Sequence, residues 1–229
     1  MELLCCPEAV LGGLADHAAR PAEIAIDVEG GALEAVLAPL ASDRVTAIVG
    51  FTEISGGRLY NAAAVFHRGA VAGVYRKHHP AIRRSVYAAG DVASVFAVGG
   101  VTFGIVICND SNFAEPARTL ASRGATVLFV PTNNALPPEK AGVVADARRA
   151  DVALATENGV WVVRADVAGS AGGRVSYGSS EIVAPDGTVL RSAPRLAEDL
   201  LVADFDTERA RADDRRAGST DLNGRRIEP

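Results

Sequence analysis

Residues Val101–Pro131 read VTFGIVICNDSNFAEPARTLASRGATVLFVP, and the order of patterns within them decides the fold. VTFGIVIC is an apolar, β-branched run of strand type that ends abruptly in a thiol, an amide and a carboxylate (Cys108, Asn109, Asp110). Asn112 and Glu115 stand three apart, as an N-cap residue and its capping-box partner do, which predicts a helix starting after Asn112. Ala114, Ala117, Leu120 and Ala121 share one face of that helix, and Gly124 suits the left-handed residue just past its end. ATVLFVP is then a second buried strand. Strand, helix and strand in succession require a crossover connection between parallel strands, so the chain is an α/β protein.

Upstream the pattern changes. Glu2–Cys6 reads as a short strand closed by Pro7, and Gly31–Ser42 as a helix. VTAIVGFTEI, LYNAAAVFH and AVAGVYR follow as three β-like runs joined at Gly56-Gly57 and Arg68-Gly69, and SVFAVGG repeats the hairpin pattern before the opening stretch. Downstream, Glu139–Glu157 is an alanine-rich helix ended by Asn158-Gly159, VWVVRAD a strand, SSEIVAPDGTVL a hairpin, and LLVADFD a last strand before a charged tail over 207–229. Helix crossovers mixed with antiparallel pairs imply mixed sheets with outer helices. Aromatic residues make up only 5% of the 229 residues, so small aliphatic side chains must pack closely spaced layers. No linker divides the chain, and a single domain over 1–229 is expected.

A formal net charge of −5, with no basic stripe, argues against nucleic acid as a partner. The N-terminus has neither the basic region nor the apolar length of a signal peptide or a spanning helix, so no membrane partner and a cytoplasmic location are expected. Three cysteines and four histidines show no metal-ligand spacing.

A lone cysteine ending an apolar strand is more often inert than reactive. Cys108, however, precedes a predicted helix N-terminus, where the dipole and backbone N–H groups favour a thiolate and can receive an oxyanion. The histidines, clustered in RKHHP, offer it no Cys-His pattern. Glu8, after the apolar LLCCP, is the strongest candidate for a base with a desolvated carboxylate. Lys77, closing the strand in GVYRKHHP, would stabilise negative charge if set beside the thiol.

LLCCPE, LYNAAAVFHRGAVAGVYRKHHP, GIVICNDSNFAEPARTLASRGATVLFVPTNN and ATENGVWVVRADVAG with YGSSEIVAPDGTVL together closely resemble the nitrilase superfamily of carbon-nitrogen hydrolases, in family order from about Leu3 to Asp206. The resemblance implies a four-layer αββα sandwich and a Glu-Lys-Cys triad falling on Glu8, Lys77 and Cys108. It implies that Cys108 attacks a carbonyl or nitrile carbon, that Glu8 is general base and then acid, and that Lys77 with the backbone N–H of Asn109 holds the oxyanion. It also implies no metal or organic cofactor and a homodimer. An amidase of small linear amides is the expected activity, with a nitrile or a carbamoyl compound as the other open substrates. An acyl-transfer variant, or a catalytically impaired member binding a small amide or a protein partner, remains open at this point.

Family chains carry a further glutamate between the lysine and the cysteine, where this chain has Arg83 and Arg84, so Arg83 is a candidate to grip an anionic substrate group. Family chains also have a strand and a helix before the segment ending in the glutamate, so a shortened N-terminus is expected. Phe113 as a site wall and Asn133 and Asn134 facing the cavity are further substrate-binding candidates. Glu157 and Asn158 are expected to satisfy a helix end, and Tyr177, Ser179 and Ser180 to border the site.

Overall fold

A computed structural model describes residues 2–207; most of the charged tail therefore lies outside the described residues. Strands β1 (Glu2–Cys5), β2 (Val45–Ser55), β3 (Arg58–His67) and β4 (Ala70–Arg76) form one sheet in chain order, β1 parallel to β2 and the others antiparallel. Helix α1 (Ala32–Leu37) connects β1 to β2. β5 (Val95–Val98), β6 (Val101–Ile105), β7 (Val127–Thr132) and β8 (Trp161–Asp166) begin a second sheet. Helices α2 (Ala114–Ser122) and α3 (Val143–Asn158) make the crossovers that leave β6, β7 and β8 parallel. β9 (Ala168–Ala171) and β10 (Arg174–Tyr177) form a separate hairpin, and β11 (Glu181–Val183) with β12 (Val189–Ser192) completes the order β12-β11-β8-β7-β6-β5.

Side chains alternate across a strand, and here both faces of the central strands are apolar. On β2 and β3, Ile48, Ala63 and Val65 face the second sheet, meeting Phe103, Ile105, Val127 and Phe129. Val49, Phe51, Ala62, Ala64 and Phe66 face the other way, onto Leu33 and Leu37 of α1. Leu128 and Val130 of β7 and Val162 of β8 take Ala117 and Leu120 of α2 and Leu154 and Ala155 of α3. The layers are therefore helix, sheet, sheet, helix: the expected αββα sandwich. Among the described residues, no helix is long and apolar enough to cross a membrane.

Two local expectations are corrected. Asn112 does not cap α2. Glu115 precedes Pro116 and keeps a non-helical backbone (φ −98°, ψ 140°), because a proline ring clashes with a helical residue before it. The cap is instead the Glu115 carboxylate, which accepts from the Thr119 N–H at 3.2 Å and hydroxyl at 2.7 Å. Second, LLVADFD forms no strand; Phe205 anchors it by stacking on Trp161, with ring centroids 4.2 Å apart, while Leu200 and Val202 stay exposed. The β9–β10 hairpin, turning at Gly172-Gly173, escaped the sequence reading because it has too few apolar residues to read as strands.

Candidate active site

The end of β1 delivers Glu8 to the interior. A Cβ on Gly50 of β2 would lie 2.3 Å from the Pro7 carbonyl oxygen, 2.6 Å from the Ala9 nitrogen and 2.8 Å from the Glu8 Cα. Only a residue without a side chain lets the turn lie this close to the strand. Glu8 is 2% exposed, and its carboxylate is held by three donors. Lys77 Nζ at 2.6 Å and Asn61 Nδ2 at 2.7 Å both give to Oε1, while the Asn133 N–H gives to Oε2 at 2.8 Å.

Lys77 follows β4 directly and its backbone N–H donates to the Asn61 carbonyl at 2.8 Å. Asn61 thus orients Glu8 with its side chain and Lys77 with its backbone. At 3% exposure, burial favours the neutral amine, but the Glu8 carboxylate, through its charge and its hydrogen bond, outweighs it and raises the lysine pKa above its usual value. The ammonium is therefore retained.

Cys108 does not sit on the strand. β6 ends at Ile105, and Cys108 opens a short 3-10 turn, Cys108–Asn112, with φ +45°. A non-glycine residue in this region costs about 1–3 kcal/mol and persists only where its surroundings impose it. The clamp is Asp110, fully buried: Oδ2 accepts from the Ile107 N–H and the Tyr75 hydroxyl, both at 2.9 Å, and Oδ1 from the His79 N–H at 2.8 Å. Ser111 Oγ donates to the Cys108 carbonyl at 2.8 Å and accepts from Arg164 at 3.0 Å. Arg164, itself 3% exposed, is neutralised by Asp151 of α3 and also donates to Thr132 Oγ1 at 2.6 Å.

The sequence led us to expect a thiolate; the structure points the other way. Burial pushes the Cys108 thiol up to about 12, the Glu8 charge adds to the rise, and Lys77 and Arg164 oppose it only in part. A one-turn 3-10 element also lacks the aligned peptides that make a helix terminus strongly positive. Cys108 is therefore a neutral thiol at rest.

Glu8, Lys77 and Cys108 all line one cavity of about 670 Å³, within the range of small-molecule sites. Asn109, Asn133 and Asn134 line it too. Asn134 donates to Asp166 at 2.8 Å, and the Asn109 amide to the His79 carbonyl at 3.1 Å. Phe113 and Arg83 do not. Phe113 is 44% exposed, stacks on His79 at 3.9 Å and lines a shallower neighbouring cleft. Arg83 and Arg84 point to solvent from the loop after Pro80, and Ile82 and Tyr87 take their place at the cavity wall. Tyr177, Ser179 and Ser180 lie behind the wall, Ser179 and Ser180 bonded to Asp166. Asn158 bonds the helix-end carbonyl of Leu154, and Glu157 is exposed. Asn61, Arg164 and Asp110 escaped the sequence reading; each is a polar residue within or just after an apolar strand, which was the available clue.

A family model described as carbon-nitrogen hydrolase matches residues 1–215. The chain is 36% identical over 187 residues to a nitrilase of Pyrococcus abyssi (strain GE5 / Orsay), covering 80% of this chain and 68% of that protein. It is 34% identical over 197 residues to an (R)-stereoselective amidase of Pseudomonas sp, covering 85% and 69%. Among solved structures it resembles a variant of the amidase from Nesterenkonia sp. AN1 that carries the acetamide moiety of fluoroacetamide covalently at its active-site cysteine. That match has a TM-score of 0.73 at 25% identity and covers 94% of this chain and 83% of the other.

Proposed function

The chain belongs to the carbon-nitrogen hydrolase family, and from that premise we propose that it hydrolyses a small linear amide through a thioester on Cys108. The observation that carries this reading is the buried Glu8–Lys77 pair lining the same cavity as a neutral thiol held at φ +45°. The covalent adduct on the cysteine of the related amidase supports a sulfur nucleophile here.

In the proposed reaction the Cys108 sulfur bonds to the amide carbon while its proton passes to the Glu8 carboxylate. The carbonyl oxygen becomes an oxyanion, held by the Lys77 ammonium and the backbone N–H of Asn109. Glu8 then returns the proton to the amide nitrogen, the C–N bond breaks and ammonia leaves. Water, deprotonated by Glu8, attacks the thioester; the C–S bond breaks, the acid is released and the thiol regains its proton. Lys77 and the Asn109 N–H are suited to an oxygen that gains charge, which favours an amide over a nitrile.

Intact-mass spectrometry with acetamide, propionamide and butyramide tests this. An acyl adduct on the wild type, absent from Cys108→Ala, together with ammonia release is expected. No adduct and no ammonia from these amides, nor from the charged amides succinamate and glutaramate, would sink the reading.

A further inference from the structure

Among the described residues, three permanently cationic side chains line the cavity: Lys77, Arg164 and Arg174. Lys77 is taken by Glu8 and Arg164 by Asp151. Among the described residues, Arg174 has no ion pair; its guanidinium makes one long bond, 3.3 Å, to the Ala135 carbonyl. The acidic side chains lining the cavity are already engaged. Asp16 accepts from the Ser85 hydroxyl and the Val86 N–H, and Asp146 pairs with Arg149. A guanidinium offers five donors in a planar fork that fits a carboxylate bidentately, so most of the capacity of Arg174 is open to whatever fills the cavity.

Arg174 is also fixed relative to Glu8. It stands on β10, and the next residue, Val175, exchanges backbone bonds with Leu136 at 2.8 and 3.0 Å. Ser176 accepts from the Ala135 N–H at 3.0 Å and donates to Asn133 Oδ1 at 2.9 Å, while the Asn133 N–H holds Glu8. One continuous set of bonds thus sets the spacing between the backbone that carries Arg174 and Glu8. A site whose reacting end and charged end are held apart in this way selects substrate length as well as charge.

Building on the amidase reading, we propose that Arg174 is a specificity-determining residue that binds a carboxylate at the far end of the substrate. The preferred class is then the monoamide of a short dicarboxylic acid. Among the described residues, only one uncommitted positive charge faces the cavity, which matches a carboxylate better than a doubly charged phosphate. The arginine that meets an anionic group is Arg174, and the exposed Arg83 is not needed for it.

Binding to Cys108→Ala, measured calorimetrically, separates this from turnover. Succinamate and glutaramate are compared with butyramide and pentanamide in the full chain. One of the acids is expected to bind about 10- to 100-fold tighter than its neutral counterpart, the range for charge-assisted hydrogen bonds. Arg174→Gln in the same background should bring that ratio below about threefold, with Arg174→Lys retaining part of it. Because the ratio is taken within one protein, a lower folded fraction cannot mimic its loss. An acid that binds no tighter than its neutral counterpart, or a ratio unchanged in both Arg174 variants, overturns the proposal. If the acid is selected through Arg174 while the wild type forms no acyl adduct, the hydrolase reading fails and the anion site stands.

Discussion

Gly50→Ala tests how Glu8 is placed without touching any side chain of the site. The added Cβ would meet the Pro7 oxygen at 2.3 Å and the Ala9 nitrogen at 2.6 Å, against an ordinary contact of at least 3.4 Å. These are backbone atoms, so rotamer changes cannot relieve the overlap. Either β2 or the Pro7–Ala9 turn must shift by about 1 Å. Overpacking of this kind costs about 1–3 kcal/mol, and the rigid neighbours place it near 3. For a chain of this size that lowers the unfolding midpoint by about 6–12 °C. The same shift moves the Glu8 carboxylate relative to Lys77, and a misplacement of about 1 Å costs about a hundredfold in rate. Gly100→Ala is the control: it sits in the β5–β6 turn at φ +85° with nothing within 4 Å of an added Cβ. It should lose only about 1–2 kcal/mol to the left-handed backbone and keep its rate of acylation. Thermal melts and the rate of adduct formation give both quantities. A Gly50→Ala protein melting within 2 °C of wild type and acylating within about threefold of its rate would refute the reasoning.

Alkylation of the resting protein by iodoacetamide, followed by mass spectrometry, should rise at Cys108 about tenfold per pH unit through pH 10, because the thiol holds its proton up to about 12. A plateau near pH 8.5 would show an ordinary cysteine. The sign for stability follows: an unfolded cysteine, with its usual value of 9.0, loses its proton first. The thiol's contribution is complete below that pH and declines as pH rises toward about 12. Asp151→Ala should cost about 3–5 kcal/mol, or about 6–20 °C, by leaving Arg164 buried without its carboxylate. Removing Glu23 from the exposed Arg20–Glu23 pair should cost at most about 1 kcal/mol; equal losses in the two melts would contradict the assignment to burial.

The layers were legible because period-2 alternation and turn residues report directly on which strands are buried and where they end. Val49, Phe51, Ala62 and Ala64 on one face, and Ile48, Ala63 and Val65 on the other, are apolar for separate reasons: one set meets α1, the other the second sheet. The start of α2 was misread because a local motif, Asn112 to Glu115, competes with a stronger local constraint, the proline that follows. Arg83 was misassigned because loop direction leaves no periodic trace, whereas the position of Arg174 depends on a hairpin zipped to residues some forty positions away. Cys108 looked like a thiolate because its neighbours in sequence are donors, yet its pKa is set mainly by desolvation and by Glu8, a hundred residues upstream.

The way Glu8 is bonded bears on the order of proton transfers. Each carboxylate oxygen accepts about two hydrogen bonds. Among the described residues, Oε1 is filled by Lys77 and Asn61, whereas Oε2 has only the Asn133 N–H. The free capacity, and therefore the site for the proton in the proposed reaction, is on Oε2. In the proposed reaction the neutral thiol gives up its proton there, so that the negative charge leaves Glu8 and reappears on the oxyanion. Lys77 loses a charged partner in the step that creates a new one. The net charge of the buried site does not change during attack, so the large cost of placing an uncompensated charge there never arises. A thiolate formed in advance would add a second anion beside Glu8 in the resting site. A raised thiol pKa and a retained lysine charge thus both fit the proposed reaction, in which the carboxylate accepts the proton only as the sulfur attacks.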